Sequence, residues 1–236
     1  MFNRLYRTLV VLLSLTTLAV TSYGQKLVVG GNIGYATFGM GRLKEYQQEV
    51  RDQYPVRLKD VESFPPYLNY SLNVALSHPG FYYGLMGGHT STAGRNSYAD
   101  YSGSSTVDLL VRMNYFGAMI AKKLTKKEHT NIYAGVQSLM YFNKMEVRNT
   151  LVLGDDVQSG SLNYQSFNLA AGAFFELQQK IHQFILKGTV GGELHIPGNF
   201  VHENYQTAEL TLKNGDAVTA NATGLRLGVG VAYQFK

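Results

Sequence analysis

The closing stretch of this chain alternates without a break. From Leu225 to Phe235 the odd positions are Leu225, Leu227, Val229, Val231, Tyr233 and Phe235, and between them stand Arg226, Gly228, Gly230, Ala232 and Gln234. Successive side chains of a strand point to opposite faces, so the segment predicts a β-strand with one apolar face and one small or polar face. Glycines and a charge suit the crowded interior of a narrow barrel, which turns the apolar face outward, toward lipid.

The same period recurs along the chain and predicts eight strands, at residues 27–39, 67–77, 80–91, 106–122, 131–143, 163–178, 183–196 and 223–235. Several exceed the roughly 9–11 residues that a tilted strand needs to cross the hydrocarbon. In the fourth, Val107, Leu109, Val111, Met113, Tyr115 and Met119 form the apolar row expected to face lipid, against Asp108, Arg112 and Asn114 on the lumen side. The sixth sets Phe167, Leu169, Ala171, Ala173, Phe175 and Leu177 against Ser166, Asn168, Gly172 and Glu176. The seventh sets Phe184, Leu186, Val190, Leu194 and Ile196 against Lys187, Glu193 and His195. Connections alternate as well: short links near His78, Leu124 and Lys180, long ones over residues 40–66, 92–105, 144–162 and 197–222. Short turns at one end and long loops at the other are the outer-membrane pattern, with the turns periplasmic.

The front of the chain reads as a secretory signal peptide over residues 1–24. Arg4 and Arg7 precede the apolar run from Thr8 to Val20, which is shorter than the roughly 20 residues of a spanning helix, and small residues lead to a cut after Gly24. Its removal leaves one domain, residues 25–236, and takes two positive charges off the formal net charge of +5. That balance is no nucleic-acid signature. With no Cys, there are neither disulfides nor thiolate metal ligands. Tyr is abundant at 17 residues and recurs near strand ends, at Tyr35, Tyr67, Tyr83, Tyr115, Tyr141 and Tyr233, where amphipathic rings form interfacial girdles.

On these strands, and on the aromatic ending Val231, Tyr233, Phe235, the chain resembles the small outer-membrane β-barrel superfamily of the OmpA transmembrane domain, OmpX and the PorT-like barrels. The resemblance implies an all-β, eight-stranded, antiparallel, up-and-down transmembrane barrel in the outer membrane of a Gram-negative bacterium, with both termini periplasmic. It also implies recognition of the last strand by the assembly machinery. Many members end on an aromatic residue, whereas here Phe235 is penultimate and Lys236 is last.

The lumen is the first place to look for chemistry. The expected inward set, Asp108, Arg112, Asn114, Glu176, Lys187, Glu193 and Arg226, holds three acids and three bases. A barrel of eight strands is just wide enough to be filled by side chains, so a paired polar plug is expected, with Glu193 against Arg226 and Glu176 against Lys187. A narrow passage for ions or small solutes is the alternative from the transport class. An enzymatic reading would draw on His89 with Ser91 or on His195 with Glu193, in a lipid-modifying barrel, but no motif supports it. Glu193, His195, His202 and Glu203 lack the spacing of a metal site, and no cofactor is expected. A secreted, lipocalin-like binding barrel would reverse the faces, and the charges on the non-apolar rows argue against it.

The long loops remain. Residues 41–53 place Leu43, Tyr46 and Val50 at helical spacing and predict a short amphipathic helix over the barrel mouth. Lys213-Asn214-Gly215-Asp216 predicts a tight turn, the tip of a hairpin reaching beyond the membrane. The expectation is therefore a monomeric, non-enzymatic barrel with a structural or surface-interaction role, in contact with outer-membrane lipids and with an extracellular ligand or protein through its loops.

Overall fold

The computed structural model describes residues 25–125, 130–205 and 207–235. The segment read as a signal peptide lies outside the described residues. In chain order the elements are β1 (Lys26–Ala36), α1 (Gly41–Gln53), β2 (Lys59–Ser63), β3 (Tyr67–Ser77), β4 (Phe81–Asp100), β5 (Gly103–Lys123), β6 (Thr130–Leu153), β7 (Asp156–Ile181), β8 (Phe184–Ile196), β9 (Val201–His202) and β10 (Gly224–Gln234).

Eight of the strands close a ring. Each pairs antiparallel with its neighbours in the order β1, β3, β4, β5, β6, β7, β8, β10, and β10 returns to β1 with Val28 opposite Gln234 and Ala36 opposite Arg226. Closure satisfies every ladder and leaves no edge at membrane depth, which is what a sheet in hydrocarbon requires. At the closing seam a Cβ on Gly34 would run into the Leu227 carbonyl oxygen, so only glycine permits that approach. The start of β1, the end of β10 and the short links all lie at one end, called the turn end below; the long connections lie at the loop end.

The apolar rows outside form a continuous belt. Leu72, Leu85, Ile120, Val136, Phe175, Val190, Val229 and Ile33 all present large exposed apolar side chains. Such a belt, on a closed ring with Glu176, Lys187 and Glu193 buried inside, makes the fold a transmembrane β-barrel of the outer-membrane type.

The strands are unequal, and this corrects the expected boundaries. β1, β3, β8 and β10 span 11 to 13 residues, one membrane crossing, whereas β4, β5, β6 and β7 span 20, 21, 24 and 26. Residues 92–105 and 144–162, expected to be loops, continue the strands as two long hairpins paired out to Asp100 opposite Gly103 and Leu153 opposite Asp156. β2 adds to the upper part of β4 and β9 to β7, where the shorter strands have ended.

The extension also reverses the expected phase of β5. Val107, Leu109, Val111 and Met113 are buried inside, while Asp108, Arg112 and Asn114 lie on the outer face. The cause is solvent. Above the belt the outside of the barrel is wet and the inside is a protein core, so the polar row faces out there. Below, on the same even-numbered face, Phe116 and Ile120 take over and point to lipid. β6 changes at the same level: Phe142, opposite Asn114, ends its lipid-facing row, and Lys144, opposite Arg112, begins the polar one. Tyr115 and Tyr141, expected in the girdle, are likewise interior, whereas Tyr35 and Tyr67 are exposed.

Candidate functional site

From the turn end upward, the lumen holds three layers of different chemistry. In the lowest, Glu176 accepts from Tyr82 Oη at 3.1 Å and from Gln178, and its other oxygen lies 3.8 Å from Lys187 Nζ. Lys187 Nζ also lies 3.5 Å from Asn73 Oδ1. These residues come from β3, β4, β7 and β8, so the layer ties four walls of the barrel together.

The middle layer centres on Glu193. Arg226 Nη2 lies 2.9 Å from Oε2, Tyr141 donates its hydroxyl to the same oxygen at 2.7 Å, and His195 Nε2 sits 3.3 Å away. Gln137 Nε2 donates to Oε1 at 2.8 Å. Arg226 donates onward to the carbonyls of Thr37 and Ala222 at 2.8 and 2.9 Å, and lies over the Phe38 ring. Two charges taken out of water are tolerated only when their remaining donors and acceptors are satisfied, and here they are. Between the two layers lies a cavity of about 80 Å³ lined by Asn32, Asn69, Ser71, Asn73, Met86 and Tyr115 among others.

The upper layer is apolar. Val111, Met113, Leu139 and Met145 from the walls meet Phe38, Met40, Leu43, Phe64, Phe200, Leu212 and Val218 from the loops, all buried. The loop-end connections therefore fold into the barrel mouth. The residue 213–216 turn forms, with Leu212 N donating to Asp216 O at 2.8 Å, but its flanks Leu212 and Val218 are buried within the mouth instead of reaching outward. Asn168, from the wall, holds this segment by donating to Ala220 O at 2.6 Å and accepting from Gly198 N at 3.0 Å.

Helix α1 lies across the top with Leu43 and Gln47 buried. Gln47 Nε2 donates to Glu62 O at 2.7 Å and to Asn96 Oδ1 at 2.9 Å, and Asn96 returns a bond to Gln47 O at 2.8 Å, which pins the helix to β2 and β4. Glu49 accepts from Lys213 N, and Arg42 pairs with Asp216 at 2.9 Å, joining the helix to the last loop. Burial pushes the Tyr46 phenol up to about 12. The helix was legible from Leu43 and Tyr46; the polar clamp was not, because a glutamine on a helix and an asparagine on a distant strand give no signal of meeting. Met40 and Phe64, at the ends of this lid, adopt left-handed φ values of 47° and 48°, a conformation that side chains enter when packing over-determines them.

Of the residues expected in the lumen, the barrel brings together Glu176 with Lys187 and Glu193 with Arg226. It separates Asp108, Arg112 and Asn114 from them. On the outer face Asp108 accepts two bonds from Arg95, at 2.6 and 3.1 Å, and Asn114 contacts His89 Nδ1 at 2.8 Å. Of the expected set the lumen keeps two acids and two bases. His89 and Ser91 share that outer face with no hydrogen bond between them, His195 lies in the lumen, and His202 is on β9 beside Tyr164. Among the described residues no group of three or more histidines and carboxylates is gathered closely enough to hold a metal.

At the loop end the two hairpins build a sheet that stands above the belt. Its free margin is residues 156–162 of β7, which pair with β6 on one side and with nothing on the other among the described residues, and which are exposed throughout. The tip between β4 and β5 is ordered by Asp100, which accepts from Ser102 N, Ser102 Oγ, Gly103 N and Tyr98 Oη; these bonds hold its carboxyl down at about 2.

Closed ring, apolar belt and polar lumen define a small outer-membrane β-barrel, the class resembled by the sequence. No family model matches this chain, and no curated protein matches it. Among solved structures it is similar to Ail, the attachment invasion locus protein of Yersinia pestis, at 10% identity and a TM-score of 0.37, covering 91% of this chain and 100% of that one. A second structure of Ail, in complex with the heparin analogue sucrose octasulfate, matches at 11% identity and a TM-score of 0.38 over the same shares. The ring of strands, independent of those scores, carries the class.

Proposed function

We propose that this barrel is a non-enzymatic display scaffold of the outer membrane, with turns and termini in the periplasm and the loop-end sheet offered to an extracellular protein partner. The observation that carries the reading is the projecting hairpin pair β4–β7 with its unpaired margin at residues 156–162. A strand edge of that kind offers main-chain donors and acceptors to an extended segment of another chain. Val157 and Leu162 on it are exposed apolar side chains that an incoming strand would cover. The lumen acts as a filled support: two charge networks and an apolar cap occupy it, which suits rigidity better than conduction.

Deleting residues 149–160 and joining Arg148 to Ser161 through an Asn-Gly turn shortens the hairpin in register, since Arg148 faces Ser161. The shortened protein is expected to keep heat-modifiable migration, the mark of a folded barrel, and to lose binding to host cells or matrix proteins. Undiminished binding by the folded variant would overturn the reading.

A further inference from the structure

The turn end carries a second, chemically distinct opening. Below the Tyr82–Tyr133 pair, whose rings lie 5.0 Å apart edge to face, a vestibule of about 310 Å³ opens to the turn side. Lys26, Lys123, Lys180 and Lys187 line it, together with His78 and Asn131.

Its charge is lopsided. Below the level of Glu193 the described residues carry a single carboxylate, Glu176, against five lysines, the four above and Lys122. That carboxylate is spoken for by Tyr82, Gln178 and Lys187. Lys180 Nζ is held by a neutral partner, Gln234 Oε1, at 2.6 Å, and Lys26 and Lys123 make no ion pair among the described residues. Asn131 lines the same space with a side-chain amide. An amide of that shape accepts from a hydroxyl, or, turned over, donates to an oxygen. Ammonium groups gathered on one rim, three of them (Lys26, Lys123 and Lys180) without a counter-charge among the described residues, and a neighbouring amide suit a compact anion that has both oxygens and an acidic hydroxyl.

We propose that the turn-side vestibule binds a compact phosphate anion, free or borne on a phospholipid head group, through Lys26, Lys123 and Lys180. The rim lies at head-group depth, where the belt ends, and the lysines reach it on flexible stems. The site is at the opposite end from the hairpin margin, so neither reading depends on the other.

The test is titration of pyrophosphate into the protein in neutral maltoside micelles, followed by calorimetry, with heat-modifiable migration confirming each variant's fold. One saturable site is expected, weakening roughly two- to fivefold for each of Lys26→Gln, Lys123→Gln and Lys180→Gln, retained in Lys180→Arg and unmoved by Lys213→Gln at the loop end. Repeating it in nanodiscs of phosphatidylcholine with and without cardiolipin separates the sources: competition by cardiolipin assigns the site to a head group, no competition to a free phosphate. Absence of saturable binding, or binding unchanged when the three glutamine replacements are combined in a folded barrel, would overturn the proposal.

Discussion

β5 passes through two solvents, and its two halves obey opposite rules. Between Phe116 and Ile120 the even positions are apolar and meet lipid; between Asp108 and Asn114 the same face carries an acid, a base and an amide and meets water. The odd positions, Val107 to Met119, stay inside throughout. A period of two thus assigns residues to faces, while the medium on each side decides which face is apolar. The lumen divides at the same height: charge networks under the belt's upper rim, an apolar core of wall and loop side chains above it. The lower barrel resembles a membrane protein with a polar heart, and the upper barrel resembles a soluble protein with a greasy one.

That contrast is sharpest where the interior is charged. Arg226→Ala strands Glu193 in a buried site with only neutral donors and His195 around it. Breaking a buried pair in this way is expected to cost about 3–5 kcal/mol, read as a lowered urea midpoint for unfolding from phosphatidylcholine vesicles. The double replacement Glu193→Leu with Arg226→Met removes both charges and is expected to recover most of that loss. If the single and double variants were equally unstable, Glu193 would not depend on Arg226.

Above the belt, truncation of the core should act locally. Met145 is buried beside the loop side chains of the cap, and Met145→Ala is expected to cost about 2–5 kcal/mol through lost transfer and a residual cavity. Because the cap packs on strands whose lower halves are separately closed, the loss should appear first as faster proteolysis within residues 197–222, with heat-modifiable migration intact. Cooperative loss of the whole barrel at the same protease dose would show that the two halves fold as one unit.

Much of this was legible because half of the ring strands never leave the membrane. β1, β3, β8 and β10 are one crossing long, so their apolar rows have a single environment and their alternation gives both period and phase. Glu193 and Arg226 were findable for that reason: adjacent strands, similar height, opposite charge. β5 misled because its odd row is apolar from Val107 to Met119 and looks like a lipid face from end to end; the signal lay in the even row, where Asn114 gives way to Phe116, Ala118 and Ile120. The long hairpins were missed because Ser, Gly, Asn and Asp near residues 92–105 and 154–161 read as loop, although strands in water tolerate them when each backbone group has a partner across the ladder. The polar clamp of Gln47 and Asn96 joins residues 49 positions apart, and nothing local announces such a pair.

Asp108 supplies the mildest comparison, since it is the carboxylate moved from the expected interior to the outer face. Its partner Arg95 is half-exposed, with 50% of its side chain open to solvent, against 11% for Arg226 on Glu193. Water screens the outer pair, so Asp108→Ala is expected to cost about 0.2–1 kcal/mol, well below the loss at Arg226, and to shrink further as salt is raised. The two oxygens of Asp108 each take a bond from the guanidinium, which places the effect toward the upper end of that range. Measured beside Arg226→Ala under the same urea titration, an equal or larger penalty for Asp108→Ala would mean that the sheet above the belt, open to water on its outer face, nevertheless holds its charges as tightly as the lumen does, and the division of β5 between two solvents would fail at that residue.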